Sequence, residues 1–165
     1  MRTLLAVVFT LMLSLATSLS HATKVGDVAP PVNLRLLGSD QVLSLSSLRG
    51  KVVLVDFWSS WCASCRQSIP YFDELRNKLS NEDFEVYAVN LDDKVSEAKA
   101  FLSNYPVSYP IVWDEAQDSP EEFDITKMPT SFLLDQQGVV RAVYVEFKKT
   151  DIAGFEKDIR RLLKP

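Results

Sequence analysis

The sequence predicts an α/β domain built around one central strand, and three observations support this prediction. Residues 52–58 form an almost uninterrupted apolar run, which is typical of a strand buried on both faces of a sheet. The helical pattern that follows places four apolar residues on one face: Ile69, Phe72, Leu75 and Leu79. Strand and helix patterns then alternate along the rest of the chain, as in an α/β domain.

The other elements are predicted in chain order from the same patterns. A β-hairpin of residues 32–37 and 42–45, with its turn at 38–40, precedes the central strand, and residues 46–50 form a short, helix-like turn. The helix after the strand contains Pro70, which should kink it. Further elements follow: strand 84–91, helix 95–104, strand 111–113, short helix 120–123, hairpin 131–135 with 139–147, and a last helix capped by Thr150 or Asp151 with the apolar stripe Ile152, Phe155, Ile159, Leu162 and Leu163.

Two cysteines, three residues apart, follow the central strand where the helix begins. Residues at this spacing lie on the same side of a helix, so the two sulfurs can bond without distortion of the backbone. We expect Cys62 at the helix mouth, where free N–H groups and the helix dipole stabilise an anion. Such a setting lowers a thiol pKa from about 8.5 to roughly 3.5–7.5. Cys62 is therefore the predicted nucleophile, and the more shielded Cys65 is the predicted resolving thiol of a redox-active disulfide.

Two other interpretations of the pair are a purely structural disulfide and half of a metal site. The first is disfavoured because a bridge that closes so short a loop restricts the unfolded chain very little.

The motifs around the pair resemble a known family. Residues 55–58 (VDFW) and 61–65 (WCASC) resemble the active-site segment of the thioredoxin superfamily. Met128-Pro129-Thr130 resembles its cis-proline loop, and residues 132–135 with Gly138 resemble the hairpin after it. Added length before and between these motifs is similar to that of the TlpA/ResA-like secreted thiol–disulfide oxidoreductases. The resemblance covers residues 24–163 and implies a thioredoxin fold with an N-terminal β-hairpin and a central βα insert.

Asp56 stands inside the apolar strand, where burial should raise its pKa. It either faces a polar gap at the strand end or, as the resemblance implies, moves protons to and from the resolving thiol. Two departures from the family leave the proton relay open. Ala88 stands where thioredoxins often carry a lysine, and Ser68 stands where TlpA/ResA-like proteins often carry a glutamate.

The resemblance also implies a docking surface for an extended substrate. Pro129 is expected to follow a cis peptide bond, and Met128 before it is expected to bind the substrate backbone. Trp61 is expected to be partly exposed at the rim of this surface, whereas Trp58 belongs to the core. The adjacent acidic residues Asp92 and Asp93 are interpreted as a solvated face or a helix start.

Residues 1–22 are predicted to be a secretory signal peptide. Arg2 supplies a basic start, an apolar run spans residues 4–15, and small residues around His21 favour cleavage after Ala22. The run is short for a membrane span, and an uncleaved anchor is the alternative. The remaining domain, residues 23–165, would then work in an oxidising compartment, the periplasm or another secreted location.

Charge and composition exclude several classes of function. The chain has a formal net charge of −4 and no basic run, so we expect no nucleic-acid partner. Its single histidine, His21, would leave with the signal peptide. Without an imidazole, Ser-His and Cys-His catalysis are excluded, and a zinc or copper site with a nitrogen ligand is disfavoured.

The sequence therefore predicts a periplasmic protein thiol–disulfide oxidoreductase that acts on protein disulfides. A reductase is favoured because Ala63 and Ser64 between the cysteines carry no charge that would stabilise a thiolate. We expect a monomer without a dissociable cofactor or metal, supplied with electrons by a membrane-bound donor. The alternatives are an oxidase of the same fold and a thiolate copper carrier. A peroxidase of the peroxiredoxin type is disfavoured because the pair lies within one helix turn.

Overall fold

The structure is a computed structural model that describes residues 23–164. Within these residues, seven strands form one mixed sheet. In chain order they are β1 (Asn33–Leu36), β2 (Val42–Ser44), β3 (Val52–Trp58), β4 (Phe84–Asn90), β5 (Ile111–Trp113), β6 (Thr130–Leu134) and β7 (Val140–Val145). Their order across the sheet is β2-β1-β5-β4-β3-β6-β7. The β3–β4 and β4–β5 pairs are parallel and the other neighbours are antiparallel.

Within residues 23–164, four α-helices connect or flank these strands: α1 (Cys65–Lys78), α2 (Val95–Asn104), α3 (Ser119–Glu122) and α4 (Ile152–Leu162). Short 3₁₀ turns occupy Leu45–Leu48 and Lys149–Asp151. α1 runs through Pro70 without interruption. Asp151 stands at the predicted cap position of α4, but its side chain makes no capping hydrogen bond.

The N-terminal hairpin and the central insert predicted from the sequence are both present. The hairpin is β1 and β2, and the insert consists of α2 and β5, which extend the sheet beyond β4. β1 pairs with β5, so the hairpin adds two strands to the edge that the insert creates. The opposite edge is the β6–β7 hairpin.

β3 lies at the centre of the hydrophobic core, and all seven of its residues are buried. Because side chains alternate along a strand, Leu54 and Trp58 face one layer and Val55 and Phe57 face the other. The first layer contains both cysteines and the buried faces of α1, α2 and α4. Asp56 lies between Leu54 and Trp58 in this alternation, so its side chain points toward the same layer as the cysteines.

The predicted apolar faces of the long helices are buried against this sheet. On α1 they are Ile69, Phe72 and Leu75, followed by Leu79, and on α4 they are Phe155 and Ile159. Ile152, Leu162 and Leu163, the rest of the predicted stripe, are half-buried. No helix within residues 23–164 is both long enough and apolar enough to span a membrane. The predicted signal peptide, residues 1–22, lies outside the described residues.

Candidate active site

The two cysteines lie close together where the turn after β3 leads into α1. They are joined by a disulfide, with Cα atoms 5.3 Å apart, a separation within the usual range for this bond. The expected placement of both cysteines within one helical turn is wrong, because α1 begins only at Cys65 and Ser64 is its N-cap residue. Cys62 lies in the preceding turn, where its backbone N–H bonds the Ser59 carbonyl at 3.2 Å.

The Cys62 sulfur lies directly at the start of α1. The backbone N–H of Cys65 donates a hydrogen bond to Cys62 Sγ over 3.2 Å. This amide belongs to the first turn of the helix, where N–H groups have no partner within the helix. Cys62 is 5% exposed and Cys65 is fully buried. The sulfur that reaches the surface is therefore the one that receives the helix amide, which suits it to carry negative charge.

Ser64 links this sulfur to the cis-proline loop. Its Oγ lies 3.5 Å from Cys62 Sγ and donates a hydrogen bond to the Met128 carbonyl over 3.3 Å. The Met128–Pro129 peptide bond is cis, as predicted, and Pro129 itself is buried. The loop before β6 is thus held against the redox pair. Sequence reasoning did not identify this contact, because it joins residues 64 positions apart.

A groove of about 560 Å³ opens beside Cys62. Trp61, which is 66% exposed, and Met128 both line it together with Cys62, so two of the predicted docking residues share one surface. The groove continues over residues that the sequence analysis did not single out, some apolar and some polar: Leu91, Gln117, Pro120, Ile125, Thr126 and Lys127. Such a mixture suits an extended peptide with apolar side chains.

Asp56 is a fully buried carboxylate in β3, between Ala88 of β4 and Ser131 of β6. Burial raises its pKa from 3.8 to about 7, and the hydrogen bond from Ser131 Oγ, 2.6 Å from Oδ1, partly opposes this. Oδ2 has no hydrogen-bond partner among the described residues. Near neutral pH this group can therefore both accept and release a proton.

The two departures from the family pattern leave Asp56 without a charged neighbour at either position. Ala88 pairs directly with Asp56 on the neighbouring strand, where the resemblance implies a lysine in thioredoxins. Ser68 is buried one turn after Cys65, and its Oγ donates to the Cys65 carbonyl over 3.4 Å.

Asp92 is fully buried, and its interpretation as a solvated residue is wrong; its neighbour Asp93 is exposed. The Asp92 carboxylate accepts hydrogen bonds from the Ser60 backbone N–H at 3.0 Å, from Ser60 Oγ at 3.1 Å and from Asn90 Nδ2 at 2.8 Å. It therefore anchors the turn that leads to Cys62. An indication was present in the sequence, because Asn90 ends β4, which is parallel to β3, and Asp92 follows two residues later. The carboxyl ends of parallel strands lie at the same edge of a sheet.

Fold and site together define a class of protein, the thiol–disulfide oxidoreductases with a thioredoxin fold. Residues 24–159 match the family described as Redoxin, and the chain belongs to this family. This result confirms the fold and the enzyme class predicted from the sequence.

Individual relatives agree with this assignment. The chain is similar to thiol-disulfide oxidoreductase ResA of Bacillus thuringiensis (strain Al Hakam), with 32% identity over 118 residues, which are 71% of this chain and 68% of the relative. ResA of Bacillus subtilis (strain 168) is 30% identical over 124 residues, 74% of this chain and 67% of the relative. The crystal structure of a putative thiol:disulfide interchange protein DsbE from Chlorobium tepidum superposes with a TM-score of 0.82 and 37% identity, covering 87% of this chain and all of that chain.

Replacement of the buried carboxylate by Asp56→Asn should remove a pH dependence of stability. The pKa of Asp56 is about 7 in the folded protein and about 3.9 in an unfolded chain. Between these values the folded state holds a proton that the unfolded state has released, so stability falls as pH rises from about 4 to 7. The whole change amounts to about 4 kcal/mol.

Urea unfolding of the oxidised protein between pH 4 and pH 8 measures this effect. The wild type and Asp40→Asn, an exposed control in the hairpin turn, should lose stability over this range, and Asp56→Asn should not. If the free energy of unfolding changed with pH equally in the wild type and in Asp56→Asn, the raised pKa of Asp56 would be contradicted.

The pair Asp92→Asn and Asp93→Asn tests the anchoring of the turn before Cys62. Asparagine retains one acceptor oxygen but directs an NH₂ group toward the donors of Ser60 and Asn90. We expect Asp92→Asn to lower the free energy of unfolding by about 1–3 kcal/mol, as for a buried polar group that loses its partners. The exposed Asp93→Asn should change it by less than about 0.5 kcal/mol. Equal unfolding free energies for the two variants would rule out this network as an anchor.

Proposed function

We propose that this chain is a secreted protein disulfide reductase in which Cys62 is the nucleophile, Cys65 the resolving thiol and Asp56 the proton relay. The observation that carries the proposal is the hydrogen bond from the Cys65 amide to Cys62 Sγ, beside a groove lined by apolar and polar residues. A helix amide stabilises a thiolate, and the thiolate is the attacking species in disulfide exchange.

In the first step the Cys62 thiolate attacks one sulfur of a substrate disulfide. A bond forms between Cys62 Sγ and that sulfur, the substrate S–S bond breaks, and the other substrate sulfur leaves as a thiolate that takes a proton from water. The product is a mixed disulfide between Cys62 and the substrate.

In the second step Cys65 resolves the mixed disulfide. The Cys65 thiol gives its proton to the Asp56 carboxylate and attacks Cys62 Sγ, and the substrate leaves as a second thiolate. Two electrons have then passed from the cysteine pair to the substrate, and the Cys62–Cys65 disulfide is complete. The raised pKa of Asp56, about 7, supports this role because the carboxyl can gain and lose a proton near neutral pH.

We propose that the substrate binds as an extended segment along the groove. The Met128 backbone would pair with the substrate backbone, as an added strand does, with Trp61 at the rim and Pro129 holding the loop. This arrangement would bring a substrate disulfide beside Cys62, because Trp61, Cys62 and Met128 line one surface. The substrates would be proteins, since the exposed Trp61 side chain and the volume of the groove suit a polypeptide segment.

The absence of charge on the two residues between the cysteines supports the proposed reducing direction. Strongly oxidising pairs have an over-stabilised thiolate, for which a charged neighbour is one cause. Ala63 and Ser64 are uncharged, and Arg66 is exposed to solvent, which screens its charge. Ionisation of Asp56 on the same face of β3 would disfavour the thiolate further.

The proposed location and partners rest on the N-terminal sequence. Residues 1–22 have the pattern of a signal peptide, so the domain of residues 23–165 would act in the periplasm or a similar compartment. A reductase in an oxidising compartment must itself be reduced, and we propose a membrane-bound electron donor that serves a monomeric enzyme.

Trapping with cysteine variants tests the two cysteine roles. Cys62→Ser should abolish the reduction of a protein disulfide, because no nucleophile remains. Cys65→Ser should accumulate mixed disulfides through Cys62, which mass spectrometry after non-reducing purification identifies together with the attached substrates. Mixed disulfides that accumulate in Cys62→Ser instead would reverse the roles of the two cysteines.

Equilibration with glutathione buffers tests the direction of electron flow. We expect a reduction potential of roughly −180 to −270 mV, in the range of reducing and isomerising members of the fold. A potential above about −150 mV would make the protein an oxidase. Stoichiometric copper(I) retained through dialysis, without any disulfide reduction, would instead favour a thiolate copper carrier.

A further inference from the structure

Ser64 occupies the position of a helix cap but does not act as one. Serine at an N-cap normally accepts a hydrogen bond from a backbone N–H of the first helical turn. Ser64 makes no such bond at the start of α1. Its hydroxyl is directed instead to the Met128 carbonyl at 3.3 Å and lies 3.5 Å from Cys62 Sγ. A residue suited to stabilise the helix thus contacts the redox sulfur and the docking loop.

The hydroxyl has one proton and two possible acceptors. In the disulfide form the stronger acceptor is the Met128 carbonyl, since a disulfide sulfur is neutral and accepts weakly. In the reduced form the Cys62 sulfur would carry negative charge, and hydrogen bonds to an ionised acceptor are roughly twice as strong as neutral ones. Rotation about the Cβ–Oγ bond of Ser64 is enough to redirect its O–H group from one acceptor to the other.

We propose that Ser64 couples the redox state of Cys62 to substrate docking: its hydroxyl bonds the thiolate in the reduced enzyme and the Met128 carbonyl in the oxidised enzyme. This inference rests on the proposed function, in which Met128 pairs with the substrate backbone. In the reduced enzyme the Met128 carbonyl is free to accept a backbone N–H of the substrate. In the oxidised enzyme Ser64 occupies that carbonyl, which favours release of the reduced product.

The coupling makes two separate predictions for Ser64→Ala. The first concerns the reduced enzyme alone. Loss of the hydroxyl removes one hydrogen bond to the thiolate, so the pKa of the Cys62 thiol should rise by about one unit, a tenfold change in the ionisation equilibrium. The second concerns docking, because in this variant the Met128 carbonyl is free in both redox states.

The docking prediction is measured with a synthetic extended peptide of apolar residues. The peptide carries alanine in place of the cysteine of a substrate, so that no disulfide exchange takes place. The wild type should bind this peptide about fivefold more tightly when reduced than when oxidised, as expected for one additional hydrogen bond. Ser64→Ala should bind it equally in both states. Ser64→Thr, which retains a hydroxyl, should keep both the redox preference and the thiol pKa of the wild type.

Ser103→Ala is the matched control, because its hydroxyl in α2 bonds only the Lys99 carbonyl among the described residues; it should change neither quantity. An unchanged Cys62 pKa or an unchanged binding ratio in Ser64→Ala overturns the coupling. A failure of the proposed function is distinguishable, since the wild type would then neither bind the peptide in either state nor reduce a peptide disulfide.

Discussion

The hydrogen bond from the Cys65 amide to the Cys62 sulfur is the interaction on which the rest of this structure depends. It requires a helix that begins at Cys65, a turn that brings Cys62 back over that helix start, and a strand that fixes both. β3 meets the last requirement because all seven of its residues are buried and it pairs with neighbours on both sides. A backbone amide of the first helical turn is thus presented to one sulfur beyond the carboxyl end of a central strand.

The surroundings of Cys62 are held from two sides. On one side the buried Asp92 carboxylate binds both donors of Ser60 and fixes the turn before Cys62, the proposed nucleophile. On the other side Ser64 donates a hydrogen bond to the Met128 carbonyl, which connects the helix start to the proposed docking loop. Asp56 is buried in β3, its side chain faces the layer of the core that contains both cysteines, and one of its oxygens is bonded to Ser131. The proposed nucleophile therefore lines the proposed docking groove, and the buried acid faces the layer of the core that contains both cysteines.

Most of the fold was predictable because its signals are local. The apolar run of β3, the apolar face of α1 and the turn residues of the hairpins each identify an element within a few residues of sequence. The residues whose environment was not predicted make contacts with residues that are distant in sequence. Aspartate is usually a surface residue, and only the pairing of β4 with β3 brings Asp92 within hydrogen-bond distance of Ser60. The contact of Ser64 with Met128 likewise depends on the docking of the β6 loop, which no local pattern encodes.

The central claim is that the helix start makes Cys62 a stabilised thiolate, and the pH dependence of alkylation tests it most directly. The reduced protein is exposed to limiting iodoacetamide from pH 4 to pH 10, and mass spectrometry assigns the label to each cysteine. We predict that Cys62 is labelled first, with a half-maximal rate at or below about pH 7.5. Labelling of Cys62 that follows a free thiol, with its midpoint near pH 8.5, or labelling of Cys65 first, would contradict the account.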